Sequence, residues 1–314
     1  MRRFLALAAL VLALPAWSAY PERPVRVLVA IAPGGTPDLI ARLMADRLSR
    51  RTGQQFVVEN RMGAGGNIAA EALAKAPADG YTLFVPASAV ITLNPFVYAR
   101  PGFDPLKDFA PITIIGASGY YFLACPKMPF NSIRELVAAA KTRSLTYATA
   151  GHGTSHHLAG EMLNRAAGIR MEHVPYKGFA QGLQDALTCK VDVIVGAVPG
   201  SIPYLKNGRM KAFAVTSARR FSQTPEVPTM MESGFPGFEV DGWYSLLATG
   251  GTPREVIDKL ARATNDALKS PDVIEPLQKQ GIDMLGGTPE EFAAYIKSEI
   301  AKWERVTAAA GMRQ

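Results

Sequence analysis

The sequence is poor in the residues and motifs on which common enzymes and nucleic-acid-binding proteins rely. Its 314 residues include two cysteines and four histidines. It contains no HExxH zinc motif, no Walker A loop and no GxSxG nucleophile elbow. Its lysines and arginines are scattered rather than grouped in a stripe with aromatic residues, which disfavours nucleic-acid binding. These absences argue against an enzyme of those classes, and neither a cofactor nor a metal ion is expected.

Long apolar runs are also scarce, and the first residues have the order of a secretory signal. Arg2 and Arg3 precede an apolar stretch over residues 4–14, which Pro15 and small residues follow. Such a stretch is too short to span about 30 Å of hydrocarbon as a helix. We therefore expect residues 1–18 to be a signal peptide, cleaved near Ser18 or Ala19, and the mature protein to be exported.

The charge balance is modestly positive. The chain carries 34 Lys and Arg residues against 27 Asp and Glu residues, and the excess persists without Arg2 and Arg3. A small positive balance favours an anionic small ligand, because it raises the local concentration of anions.

The two cysteines, Cys125 and Cys189, both lie in the middle of the chain. In an oxidising compartment they could form a disulfide that ties one domain internally. Two separate buried thiols are an equal alternative, because cysteine also packs well as a small apolar residue. The sequence leaves both open.

The order of apolar runs predicts an α/β protein with two halves. Strands are predicted over residues 25–31, 55–59 and 81–85, with helices over 39–50 and 67–75 between them, as in a parallel βαβαβ layer. A second alternating set follows from about residue 112, and the C-terminal helices are expected to return to the first half. This requires two crossings, near Tyr121 and Asp241. The predicted domains are residues 19–121 with 241–314, and residues 122–240.

Two glycine-rich turns, each between a predicted strand and a predicted helix, are the main candidate site. A helix that begins at such a turn presents free backbone N–H groups at its positive end, which favours an anion. The candidate residues are Pro33, Gly34, Gly35, Thr36 and Asp38 in the first turn, and Gly153, Thr154, Ser155 and His156 in the second.

Three further residues are candidates because they follow strands of the first half. Asn67 begins a helix after the glycine-rich run of residues 63–66, which lacks the last glycine of a dinucleotide motif. Ser88 and Thr92 follow the third strand, at the sheet edge where α/β proteins bind ligands. A structural turn at Asn67 and ordinary loop polarity at Ser88 and Thr92 remain alternatives.

Several candidates also have plainer explanations. Asp38 could cap a helix, and Thr154 or Ser155 could be a simple N-cap. His152, His156 and His157 resemble a metal cluster, but their spacing at the start of a helix makes this unfavourable. Ser155 beside His156 suggests a hydrolase only weakly, because adjacent helical residues point in different directions.

The combination of motifs resembles the tripartite tricarboxylate transporter receptors, also called the Bug family of periplasmic solute-binding proteins. The resemblance extends over essentially the whole mature chain. It is carried by residues 20–26 (YPERPVR), 32–35 (APGG), 57–61 (VVENR), 63–67 (GAGGN), 79–83 (DGYTL), 173–178 (HVPYKG), 214–217 (AVTS) and 226–229 (EVPT).

The resemblance implies a fold and a function. The expected fold is a two-domain, type II-like Venus flytrap with two crossing hinge strands. The expected function is that of a monomeric receptor, not an enzyme, that captures a small organic carboxylate in the periplasm and delivers it to the permease subunits of the membrane. Presentation of the ligand to a sensor kinase is an alternative, and a secreted hydrolase is an unfavoured one.

The sequence departs from the family pattern at positions expected to line the ligand. Ala30-Ile31 replaces the usual Pro-Phe, and Phe179 lies in a less typical segment. Thr188-Cys189-Lys190 replaces a segment that usually has a glycine. The glycine turns themselves are intact, so the resemblance implies a carboxylate but does not identify the rest of the ligand.

Overall fold

The computed structural model describes residues 20–221 and 223–310. The predicted signal peptide and its cleavage site near Ser18 or Ala19 lie outside the described residues. In the part of the chain that is described, no helix has both the length and the apolar character needed to cross a membrane.

The chain alternates strands and helices. The strands are β1 Val25–Val29, β2 Phe56–Asn60, β3 Thr82–Val85, β4 Phe109–Ser118, β5 Tyr120–Ala124, β6 Thr146–Thr149, β7 Glu172–Pro175, β8 Val193–Ala197, β9 Lys211–Val215, β10 Gly242–Thr249 and β11 Asp283–Gly286. The helices are α1 Thr36–Thr52, α2 Asn67–Ala74, α3 Ser88–Thr92, α4 Asn94–Val97, α5 Ile133–Thr142, α6 Ser155–Ala167, α7 Phe179–Leu187, α8 Val198–Lys206, α9 Arg254–Ala267, α10 Pro271–Lys279 and α11 Pro289–Ala310.

The strands form two separate mixed sheets. The first has the order β11-β4-β10-β3-β1-β2, with β1 parallel to β2 and β3 and with β10 and β11 antiparallel to β4. The second has the order β7-β6-β8-β5-β9, with β6 parallel to β7 and β8. The fold is therefore a two-domain α/β solute-binding fold, as predicted, and the C-terminal part of the chain returns to the first sheet.

Strand β1 illustrates how each sheet buries both faces. Val25, Val27 and Val29 alternate along the strand and join the apolar cluster that includes Ile40 of α1. Leu28 points to the opposite face, in a cluster that includes Leu73 of α2. A run of apolar residues without polar alternation is expected for a parallel strand covered by helices on both faces.

The chain passes between the sheets twice. The first crossing is at Gly119, between β4 and β5, and the second is the segment between β9 and β10. Thr216 joins the two crossings: its N–H donates to the Tyr120 carbonyl (2.9 Å), its hydroxyl donates to the Val240 carbonyl (2.6 Å), and the Tyr120 N–H donates to its hydroxyl (2.9 Å).

A disulfide joins Cys125 and Cys189, whose Cα atoms lie 5.6 Å apart. Cys125 directly follows β5, and Cys189 follows the end of α7, so the bond ties two elements that pack around the second sheet. The structure thus decides between the alternatives that the sequence left open.

The structure adds elements that the sequence did not predict. These are the short helices α3 and α4, helix α8 and the edge strand β11. Two features weaken their sequence signal: α3 and α4 are four or five residues long, and α8 contains Pro199 and Pro203. Trp243 of β10 is fully buried against Phe292.

Candidate ligand-binding site

The first glycine turn is stabilised from inside by Asp38. The buried Asp38 carboxylate accepts hydrogen bonds from the Gly34 N–H (2.9 Å), from Arg42 Nε (3.0 Å) and from Asn60 Nδ2 (2.8 Å). Burial alone would raise the pKa of Asp38, but the bonds from Arg42, the Gly34 amide and Asn60 outweigh it and lower the pKa. Asp38 therefore stays ionised and holds the turn, and its predicted contact with a ligand stays a prediction.

The internal bonds of this turn narrow the choice of donors for an anion. The Gly34 N–H is used by Asp38, and the Gly35 N–H donates to the Ala32 carbonyl at 3.3 Å. Thr36 is the first residue of α1, so its N–H has no acceptor within the helix. The glycines thus shape the turn, with φ of +86° at Gly34, and the helix N-terminus supplies the free amide.

The second turn has the same design with different side chains. The Gly151 N–H donates to Thr149 Oγ1 (3.1 Å), the Gly153 N–H donates to His157 Nδ1 (3.4 Å), and the Thr154 hydroxyl donates to the Gly151 carbonyl (2.8 Å). Thr154 is also the N-cap of α6, since its hydroxyl accepts the His157 N–H at 3.3 Å. The first amides of α6 follow at Ser155 and His156, and these have no intrahelical acceptor.

Two buried tyrosines, neither of them among the candidate ligand-binding residues, lie between the turns. Tyr244 of β10 lies next to the side chains of Thr36 and Ser118. Tyr120 of β5 lies next to Ser155, and burial, together with the nearby Tyr244, raises its pKa. The tyrosines thus connect the start of α1 to the start of α6 at the crossing between the sheets. No sequence signal distinguished them, because residues more than 100 positions apart in the sequence meet here.

His156 is the most unusual side chain of the site. Its ring lies between Tyr120, at 4.5 Å between centroids, and Phe179, at 6.4 Å. Both ring nitrogens are buried without a hydrogen-bond partner, and burial lowers the pKa of His156 to about 4. A neutral imidazole with an unused N–H donor at this position is well suited to an anionic or polar ligand.

Asn67, at the start of α2, lies close to helix α4 and, through α4, to the second glycine turn. The Asn94 side chain donates to Asn67 Oδ1 (2.5 Å) and to the Gly65 carbonyl (3.1 Å), which holds the start of α2 against α4. The end of α4 also contacts the second turn, because a Cβ added at Gly153 would lie 2.9 Å from Val97. Residues of both domains therefore meet beside Asn67.

Ser88 and Thr92 are buried within the first domain. The Thr92 hydroxyl donates to the Ser88 carbonyl at 3.0 Å, and Ser88 Oγ accepts the Trp243 N–H at 3.4 Å. Both hydroxyls are thus engaged with the protein. Of the predicted residues, Thr36, Ser155 and His156 are brought together around the tyrosines, whereas Ser88 and Thr92 are bound to neighbouring backbone.

A family model and several known proteins match this chain over most of its length. The family model described as "Tripartite tricarboxylate transporter family receptor" matches residues 40–312. A UPF0065 protein from the tcbD–tcbE intergenic region of Pseudomonas sp. (strain P51) is 37% identical over 291 residues, which is 92% of this chain and 86% of that protein.

Two solved structures from Rhodopseudomonas palustris are also similar. Rpa4515, solved with adipate, is 35% identical with a TM-score of 0.87, over 93% of this chain and 98% of its own. MatC, solved with bound malate, is 32% identical with a TM-score of 0.84, over 91% of this chain and 99% of its own.

Proposed function

Because this chain belongs to the tripartite tricarboxylate transporter receptor family, we propose that it binds one small organic carboxylate between its two domains. The carboxylate accepts hydrogen bonds from the first amides of α1 and α6, at Thr36 and at Ser155 and His156. The observation that carries this proposal is the pair of helix N-termini, one from each domain and each beside one of the buried tyrosines Tyr244 and Tyr120, whose first amides have no acceptor within their helices.

The free energies of these hydrogen bonds, with apolar contacts to the ligand, are sufficient for micromolar affinity. A hydrogen bond to a charged group contributes about 1.5–3 kcal/mol, and a helix N-terminus adds roughly 0.3–1 kcal/mol. Three such bonds and two helix N-termini, together with apolar contacts to the body of the ligand and less the cost of association and domain closure, are compatible with the ~8 kcal/mol of micromolar binding. The proposed site therefore needs no lysine or arginine in direct contact with the ligand.

Side chains beside the turns are proposed to select the body of the ligand. Ile31 lies against Gly35, where an added Cβ would be 3.0 Å from its side chain, and it is 40% exposed. Phe179 covers Gly196 and Gly200 and stacks near His156. Adipate in one relative and malate in another share carboxylate groups and differ in the atoms between them. An apolar wall of Ile31 and Phe179 favours the longer hydrocarbon body of adipate.

The proposal includes a partner and a location. The receptor acts in the periplasm as a monomer and delivers its ligand to the permease subunits of the tripartite transporter. Ser155 and His156 bind the ligand, Asp38 holds the first turn in place, and none of the three performs catalysis. Because no catalysis occurs, mass spectrometry should recover the ligand chemically unchanged after incubation with the protein. Because the receptor serves the transporter, deletion of its gene should abolish uptake of the ligand.

A thermal-shift panel tests the proposal. Adipate, malate, benzoate and glutamate are compared with dimethyl adipate, which keeps the adipate skeleton but has no free carboxylate. At least one free acid should raise the melting temperature by several degrees, and the ester should not. The proposal is wrong if no carboxylate stabilises the protein, or if the ester stabilises it as much as the acid.

A further inference from the structure

Three of the four histidines of the chain meet on one side of the second glycine turn. His152, His157 and His173 each offer a ring nitrogen, and these nitrogens lie within 4.8 Å of one another. The rings of His157 and His173 stack with centroids 3.8 Å apart, and His152 stands perpendicular to His173 at 4.8 Å. His173 is far from the other two in the sequence, so the cluster is made by pairing of β6 with β7.

His173 has the hydrogen bonding of a metal ligand. The Thr149 hydroxyl donates to the Gly151 carbonyl (3.2 Å) and accepts the Gly151 N–H (3.1 Å). The same hydroxyl lies 2.7 Å from His173 Nε2, so a hydrogen bond fixes one nitrogen of the ring. The other ring nitrogen, His173 Nδ1, is buried without a hydrogen-bond partner. A ring with one nitrogen held in this way is typical of metal-binding histidine.

We propose that His152, His157 and His173 form a site for a borderline-soft divalent cation such as Zn²⁺, with the fourth position open to water. Three histidines with one open position are an established Zn²⁺ arrangement, and imidazole also suits Ni²⁺ and Cu²⁺. His152 is exposed in the turn, so an ion reaches the buried pair from solvent past it.

Binding requires a small local movement. Zn–N distances of about 2.0–2.1 Å place tetrahedral nitrogen ligands about 3.4 Å apart, so the present separations must shorten. The stacked rings of His157 and His173 must also tilt, because a metal lies near the plane of each imidazole that binds it. Coordination through His157 gives up its long bond to the Gly153 N–H, 3.4 Å, which is the internal hydrogen bond of the turn that is easiest to replace.

The fourth histidine provides a matched control. His156 is adjacent in sequence to His157, but its ring lies between Tyr120 and Phe179 rather than in the cluster. A cation bound by the cluster therefore depends on His152 and is indifferent to His156, although both flank the same turn.

The test is a calorimetric titration of Zn²⁺ into the full mature protein, freed of any affinity tag and treated with a chelator. One ion per chain should bind with a dissociation constant of micromolar order. His152→Ala should weaken binding at least tenfold, and His156→Gln should change it less than twofold. His152 is exposed, so its variant should retain the melting temperature of the parent.

A second measurement identifies the ligands. Co²⁺ in place of Zn²⁺ should give the visible absorption of a four-coordinate Co²⁺ ion with nitrogen ligands. His173→Gln should abolish that absorption. The proposal is overturned if no saturable Zn²⁺ binding occurs at 100-fold molar excess, or if His152→Ala binds Zn²⁺ as tightly as the parent. Neither result bears on carboxylate binding, because the cluster is distinct from the amides of Thr36 and Ser155.

Discussion

At the scale of single residues, Asp241 is a carboxyl group held at the second crossing at a cost to stability. Burial, together with the nearby Glu239, Glu299 and Asp283, raises its pKa to about 6, which Lys302 only partly offsets. Its Oδ1 atom is buried without a hydrogen-bond partner. Between pH 4 and about 6 the folded protein binds more protons here than the unfolded chain does, so this contribution to stability falls as the pH rises through that range.

Asp241→Asn should therefore stabilise the protein at high pH. One pKa unit corresponds to about 1.4 kcal/mol, so a gain of about 1–3 kcal/mol in the free energy of unfolding is expected at pH 8. The gain should vanish near pH 4, where Asp241 is protonated in the folded protein. Urea unfolding of both proteins at the two pH values measures this, and an equal effect at both would contradict the explanation.

Tyr244 makes a second prediction at this scale. Tyr244→Phe removes the hydroxyl that lies next to Thr36 and Ser118 while keeping the ring that packs in the core. We expect a loss of about three- to tenfold in carboxylate affinity, equivalent to one hydrogen bond, because Thr36 loses its support. Calorimetry measures it, with Tyr204→Phe on helix α8 as a control outside the site. Unchanged carboxylate affinity in Tyr244→Phe would show that the Tyr244 hydroxyl does not contribute to ligand binding.

At the scale of elements, capping residues and glycines in the sequence were sufficient to predict where some helices begin and end. Helix α6 begins after Thr154, where a cap was one of the predicted alternatives, and ends at Ala167 with Gly168 as its C-cap. At the start of helix α11, Thr288 and Glu291 exchange hydrogen bonds of 2.8 and 3.2 Å. Caps and glycines are local, so the sequence displays them directly.

Elements and site residues that depend on distant contacts could not be predicted in this way. The edge strand β11 exists because β4 offers it a partner. The links from Tyr120 to Ser155 and from Tyr244 to Thr36 arise only when the two sheets are assembled. The two turns were therefore predictable as junctions between a strand and a helix, whereas the contacts that Tyr120, Tyr244 and His173 make beside them were not.

The disulfide gives a prediction for the second sheet. It closes a sequence separation of 64 residues between β5 and the end of α7. Reduction, or the double change Cys125→Ser with Cys189→Ser, should lower the free energy of unfolding by about 2–4 kcal/mol, since the unfolded chain gains conformational freedom. Differential scanning calorimetry with and without reductant measures this, and the double variant serves as the control that reductant should not affect. An unchanged melting temperature in the reduced protein and in the double variant would contradict this prediction.

At the scale of the whole molecule, the proposed function makes the two domains one site, to which each contributes a helix N-terminus. Gly119 and the segment around Thr216 are the covalent connections across which closure would occur. In the proposed function, ligand recognition has two parts. Backbone amides of both domains bind the carboxylate, and side chains such as Phe179 select the rest of the ligand.

The most direct test of this claim replaces a single backbone amide. Ser155 is the first residue of α6, where proline is well tolerated, and Thr154 before it has φ −89° and ψ 159°, which a following proline accepts. Ser155→Ala removes the hydroxyl and keeps the N–H, whereas Ser155→Pro removes both. The affinity of each variant for the most stabilising acid of the panel is measured by calorimetry. The account predicts that Ser155→Pro binds at least tenfold more weakly than Ser155→Ala while the two variants unfold at similar temperatures. Equal affinity of the two variants would contradict it.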